Sequence, residues 1–121
     1  MHIGSKLVKA GDLGLGGFLY GGRLLEYLAE QSAIYAMKST GEPHLLGYRF
    51  DNVVIANPAR EGDILDFTGG EPHIGRTSVS FDLTVKTGDK TILTARCVFV
   101  AVGPDDKKKV IGGGGGERKK F

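Results

Sequence analysis

The sharpest pattern along the chain is a period of two between Ser78 and Lys86. Val79, Phe81, Leu83 and Val85 fall on one side, and Ser78, Ser80, Asp82, Thr84 and Lys86 on the other. That predicts a strand with one face buried. The turn Thr87-Gly88-Asp89-Lys90 leads into Thr91 to Val102, whose last part is apolar on both faces and reads as a central or interface-facing strand. Leu45 to Ile55 alternates around Tyr48 and Phe50 on one face and Arg49 and Asp51 on the other. Ile64 to Thr68 follows the turn from Asn57 to Asp63, and a short strand from Ile3 to Val8 opens the chain.

One segment breaks this rhythm. From about Gly21 or Gly22 to Lys38, the residues Leu24, Leu25, Leu28, Ala29, Ala33, Ala36 and Met37 recur at helical spacing. They leave Arg23, Glu26 and Glu30 as a polar stripe. An apolar band that wide predicts a helix enclosed by other structure. Gly41 and Pro43 are placed to end it, the glycine by taking positive φ after the last turn and the proline by refusing to continue. One long helix followed by long antiparallel strands on short turns gives an α+β fold, a sheet wrapped around a helix. The run Val98 to Val102, apolar on both faces, is more than one helix can cover and predicts an obligate dimer or larger assembly.

Composition narrows the class. At 121 residues the chain holds one domain, and 40% hydrophobic with 25% charged residues is ordinary for a soluble globular protein. No apolar run approaches the ~20 residues that span a bilayer, and the start lacks the pattern of a signal peptide. With a single cysteine, Cys97, in a strand-like setting, an inert buried thiol and a cytoplasmic location are expected. The net charge of +2 is unevenly spread: the segment from Asp105 onward carries +3 and the body −1. An excess confined to a tail does not argue for nucleic acid. The expected domain covers residues 1–111. The remainder, residues 112–121, is a Gly-rich basic tail, flexible by composition; the alternative is a basic arm reaching a phosphate-bearing ligand or a neighbouring subunit.

Several motifs occur in a telling order: Leu19-Tyr20-Gly21-Gly22 at the helix entry, then Ser32-Ala33-Ile34, then Asn57-Pro58 with Glu61-Gly62-Asp63. Gly75-Arg76-Thr77-Ser78 and the closing Phe99-Val100-Ala101-Val102 follow. From about Ser5 to Val110 the chain resembles the hotdog-fold acyl-CoA thioesterases, specifically the acyl-CoA hydrolase subfamily. The resemblance implies a long helix wrapped by an antiparallel sheet, and dimers assembled further as trimers of dimers into a hexamer. It also implies a coenzyme A thioester as substrate or ligand at the dimer interface, with no cofactor; one Cys and three scattered His give no metal-ligand spacing, and no membrane partner is expected. An Asn before the helix, a carboxylate about two turns into it and a Thr on the second strand form the family's site. Laid onto this chain, those positions fall on Gly14, Ala29 and Gly47.

The resemblance therefore sets two readings side by side: a hydrolase with a relocated or weak catalytic group, and an acyl-CoA-binding or assembly module without the chemistry. Glu30, one residue past the carboxylate position and so about 100° around the helix, is the candidate catalytic residue, or else part of the polar stripe. Asp12, in the glycine loop, either swings toward the site or makes a turn. His44 and His73 read as surface residues with a lesser claim as bases, and His2 lies near the start. Gly21, Gly22, Gly75, Arg76, Thr77 and Ser78 are the ligand-binding candidates: glycines for close backbone approach, Arg76 for phosphate, hydroxyls for pantetheine amides. The run Lys107 to Lys109 is a further candidate for phosphate. The small residues at Gly14, Ala29 and Gly47 predict a cavity bordered by Glu30 and the Gly75 to Ser78 segment. The loop Gly11 to Gly17 lacks the Lys-Ser or Lys-Thr of a phosphate loop, and no GxSxG elbow is present.

Overall fold

A computed structural model describes residues 1–112. Six strands and one long helix follow in the order β1 His2–Leu7, α1 Gly21–Thr40, β2 Leu45–Ile55, β3 Ile64–Gly69, β4 His73–Ile74, β5 Ser78–Thr87 and β6 Lys90–Ala101. The strands form one antiparallel sheet in the order β1-β3-β5-β6-β2, with the two-residue β4 beside β5. Every long element falls where the hydrophobic pattern puts it. β4 does not, because two residues carry no periodicity.

The inner face of the sheet is the alternating face of β5. Val79, Phe81, Leu83 and Val85 are fully buried and lie opposite Phe99, Cys97, Ala95 and Leu93 of β6. Phe81 stacks on Phe99 and meets Tyr35 of α1 edge to face, with ring centroids 4.8 Å apart. Burial pushes the Cys97 thiol up to about 12, so it packs as an inert apolar group.

The helix ends where its chemistry directs. Gly41 takes φ 73° and returns its N–H to Met37 O at 2.8 Å. The Thr40 hydroxyl donates to Ala36 O and accepts from the Glu42 N–H, which carries the last turn beyond the expected Lys38.

Two expectations need correction. The helix is not enclosed by its own chain. Leu24, Leu28, Tyr35 and Ala36 are buried with Gln31, Ser32 and Thr40, while Leu25, Ala29, Ile34 and Met37 face outward. One sheet covers one side of a cylinder, so a band wider than that side leaves part in solvent. Nor does the closing run of β6 supply the exposed apolar surface. β6 lies between β5 and β2, and Phe99, Val100 and Ala101 are buried. The edge strand β2 carries more of it, with Leu46, Tyr48, Val53, Val54 and Ile55 exposed, and Val53 meets Leu25 and Ala29 of α1 across a cleft.

The segment after β6 turns back across the end of the sheet. The Lys109 N–H donates to Ala101 O and the Ile111 N–H to Arg76 O. Glu42, buried just past the helix, receives both the Lys109 amine at 2.9 Å and the Gly112 N–H at 3.0 Å. Of the expected tail, Gly112 is thus bonded to the fold, and residues 113–121 lie outside the described residues. Among the described residues no helix is long and apolar enough to cross a membrane.

Candidate functional site

The outward side of α1 and the edge strand β2 enclose a cleft of about 310 Å³ lined by Leu25, Leu28, Ala29, Phe50 and Val53. Helical spacing brings Leu25, Leu28 and Ala29 to one face. On β2 the alternation expected from the sequence fails. The pairing with β6 slips between Asp51 and Val54, and Asn52 sits at φ 52°. This bulge puts Phe50 and Val53, three apart, on the same lining, where a regular strand would send them to opposite faces. Val53 is the lining residue the sequence pattern hides. Every side chain in the cleft is hydrocarbon.

Gly47 lies beside this cleft. A Cβ there would stand 3.5 Å from the rings of Phe50 and Phe99, so Phe50 joins the Gly47 position to the Ala29 position. Gly14 is in the loop before the helix, where its N–H donates to Phe18 O at 2.8 Å and Tyr20 packs over its Cα.

Glu30 lies elsewhere. Its carboxylate accepts from the Lys6 amine of β1 at 2.9 Å, at the sheet edge opposite β2. The expected cavity therefore exists at Ala29, but neither Glu30 nor the Gly75 to Ser78 segment lines it. The hydrogen bond and charge of Lys6 lower the Glu30 carboxyl below its ordinary value. A carboxylate so held is a weaker base than one raised toward neutrality.

Asp12 makes a turn. Its carboxylate receives the Lys9 N–H at 2.9 Å, with Arg23 Nε 3.5 Å away. The Lys9 N–H holds the carboxyl below its usual range, aided by Tyr27 and the Lys9 and Arg23 charges against the opposing effect of burial. A carboxyl lowered in the fold contributes stability that is fully present above its unfolded value, about pH 4, and is lost as pH falls through the folded value. Asp12→Asn is therefore expected to be less stable than wild type at neutral pH, with the gap narrowing as pH drops below about 4. Denaturant midpoints measured from pH 7 down to 3 check this, and a gap that stays constant would contradict it.

Gly75 to Ser78 form the β4–β5 turn, closed by the Gly75 N–H on Ser78 O at 2.8 Å. Arg76 is exposed and its carbonyl anchors Ile111. Lys109 is paired with Glu42, and Lys108 lies over the Tyr48 ring. Gly21 and Gly22 begin the helix, with Gly21 near Ile55 of β2. His44 and His73 are exposed, and His2 meets Ser5 and Asp66 on the β1–β3 edge.

The thioesterase superfamily profile matches residues 16–94, from the glycine loop through the middle of β6. The chain belongs to the thioesterase superfamily. Solved structures agree on the fold. An apo-hexameric acyl-CoA thioesterase is 27% identical with a TM-score of 0.81, over 89% of this chain and 72% of that one. An acyl-CoA hydrolase of Staphylococcus aureus, solved in complex with butyryl coenzyme A, coenzyme A and coenzyme A disulfide, is 25% identical with a TM-score of 0.77. That match covers 89% of this chain and 66% of that one. A hexameric hotdog-fold thioesterase of Campylobacter jejuni, 24% identical with a TM-score of 0.77 over 91% and 89% of the two chains, shares the fold. No curated protein sequence matches this chain. This thioesterase-superfamily chain is thus a hotdog fold, with its helix against a six-stranded antiparallel sheet.

Proposed function

We propose that this thioesterase-superfamily protein binds a coenzyme A thioester in an assembly of copies and hydrolyses it poorly. The observation that carries this reading is the cleft at Ala29. It has the place and volume of a ligand site, and its five lining side chains offer neither a base nor a hydrogen-bond donor. A missing general base forfeits about 10²–10⁴-fold in rate, while an apolar cleft continues to favour an acyl chain over water.

Self-association is supported by the 11-residue edge strand β2, which has an unpaired backbone edge and exposed Leu46, Tyr48, Val53, Val54 and Ile55, and by Leu25, Ile34 and Met37 exposed on α1. Long apolar edges of this kind are covered in stable proteins. The assemblies named for the relatives above agree with a second copy as that cover. In this reading Arg76 meets the phosphates of the ligand, with Gly75, Thr77 and Ser78 beside it, and Gly21 and Gly22 allow close approach at the helix entry. Glu30 anchors β1 to the helix through Lys6.

Thiol release measured with acyl-CoA substrates of several lengths tests this, with wild type beside Glu30→Gln. The expected result is equal, near-blank release by both proteins together with measurable coenzyme A thioester binding. Turnover in wild type that disappears in Glu30→Gln would identify Glu30 as a relocated base and overturn the reading.

A further inference from the structure

Past β6 the chain doubles back as a strap, residues 103–112. Its turn is closed by the Gly103 N–H on Lys107 O and the Asp106 N–H on Gly103 O, and Lys108 bridges to Val102. From there the strap runs beside the β4–β5 turn. Ala101 holds both at once: its N–H donates to Thr77 O and its carbonyl accepts from the Lys109 N–H, each at 2.9 Å. The Ile111 N–H reaches Arg76 O at 2.8 Å, and the Ile111 side chain is buried.

Glu42, in the loop between α1 and β2, latches this strap. Its buried carboxylate takes the Lys109 amine at 2.9 Å and the Gly112 N–H at 3.0 Å. A carboxylate so deep is costly to bury without such partners. The pairing therefore holds the strap, and it removes Lys109 from the cations that can meet a ligand.

Its neighbour Lys108 is left outward. Lys108 is exposed and lies over the Tyr48 ring, 5.9 Å from its centre, and Arg76 is exposed on the turn beside the strap. Among the described residues neither cation is paired with a carboxylate. Of the two acids in the strap, Asp105 accepts the Lys107 N–H at 3.1 Å, and Asp106 is exposed in the turn at φ 62°. Tyr48 stands two residues before Phe50 of the cleft, so β2 leads from these cations to the cleft. A cation on a loose chain end loses ordering entropy when it meets an anion, whereas one on a latched strap has lost most of it in folding.

We infer that Glu42 is a positioning residue for ligand binding: it latches the strap so that Lys108 stands with Arg76 at the phosphates of a coenzyme A thioester. The inference rests on the proposed function and deepens it, since it names what holds the nucleotide end of the ligand.

A double-variant cycle on the affinity for butyryl coenzyme A tests this, with butyryl pantetheine, the same thioester without phosphates, as the control. Lys108→Ala is expected to bind butyryl coenzyme A about three- to tenfold more weakly than wild type, between the effect of an exposed ion pair and that of a charge-assisted hydrogen bond. Glu42→Gln keeps the size of the side chain and loses its charge, and should weaken binding by a similar or smaller factor. The double variant should be no weaker than Lys108→Ala alone, because Glu42 acts through Lys108. Butyryl pantetheine should bind all four proteins alike. If wild type binds butyryl coenzyme A and Lys108→Ala binds it equally well, the inference is overturned and the proposed function stands; this exposed change decides the matter even where Glu42→Gln does not fold. Losses that add in the double variant, or that extend to butyryl pantetheine, would make Glu42 a structural residue only and also overturn it. A wild-type protein that binds no butyryl coenzyme A overturns the proposed function, and the inference falls with it.

Discussion

The triple substitution Gly14→Asn, Ala29→Asp and Gly47→Thr is expected to raise thiol release from butyryl coenzyme A by about 10²–10⁴-fold, the usual contribution of a placed general base. The structure accepts all three changes. Gly14 is extended at φ −102°, so a side chain adds no backbone strain. A Cβ there stands 3.2 Å from Cδ1, 3.3 Å from Cβ and 3.4 Å from Cα of Tyr20, so the Tyr20 segment must give by a few tenths of an ångström. At Gly47 a Cβ finds Phe50 and Phe99 at 3.5 Å, ordinary contact distance, and β-branched residues suit a strand. A carboxyl at position 29 would stand beside Leu25, Phe50 and Val53, where it can act as the general base the cleft lacks. A folded triple variant no faster than wild type would show that the cleft does not orient a thioester.

The second large effect is on stability. Gly69→Ala is expected to destabilise the protein by about 1–3 kcal/mol, the range for overpacking a filled core. A Cβ at Gly69 would overlap the Tyr35 ring, with Cε2, Cδ2 and Cζ all under 3.0 Å away. That ring has no freedom to retreat. Its hydroxyl donates to Gly70 O at 2.7 Å, and its edge is held against Phe81. Either the hydrogen bond or the aromatic contact must yield. Urea midpoints would show the loss, and shortening the ring in a Gly69→Ala/Tyr35→Leu variant should recover part of it because the two sites share one space. A Gly69→Ala protein as stable as wild type would mean that the helix sits further from β3 than described.

The elements that were legible in the sequence are those whose burial repeats over many residues. The alternation at Val79, Phe81, Leu83 and Val85 encodes β5 directly, because each step of two returns to the same core. The helix was equally plain from Leu24 to Met37, yet its surroundings were not. The count of apolar positions says how much surface needs cover but not whether the same chain supplies it, and here Leu25, Ile34 and Met37 are left outward. At the site, Ala29 and Gly47 were singled out by the family resemblance and not by any pattern of their own, since a missing side chain leaves no periodicity; in the fold Phe50 lies near both positions. Val53 was hidden by the bulge at Asn52, since one extra residue reverses the face of everything after it. Glu30 was placed by helical rotation but not by partner. Lys6 is 24 positions earlier in the chain, and only the pairing of β1 at the far edge of the sheet brings the two together.

Whether the cleft keeps a thioester but lacks the groups to cleave it is best checked by a calorimetric titration of butyryl coenzyme A with the free thiol in the cell counted at its end. Saturable binding heat with fewer free thiols than binding sites is the expected result. Thiol in excess of the sites, or no binding heat at all, would contradict it.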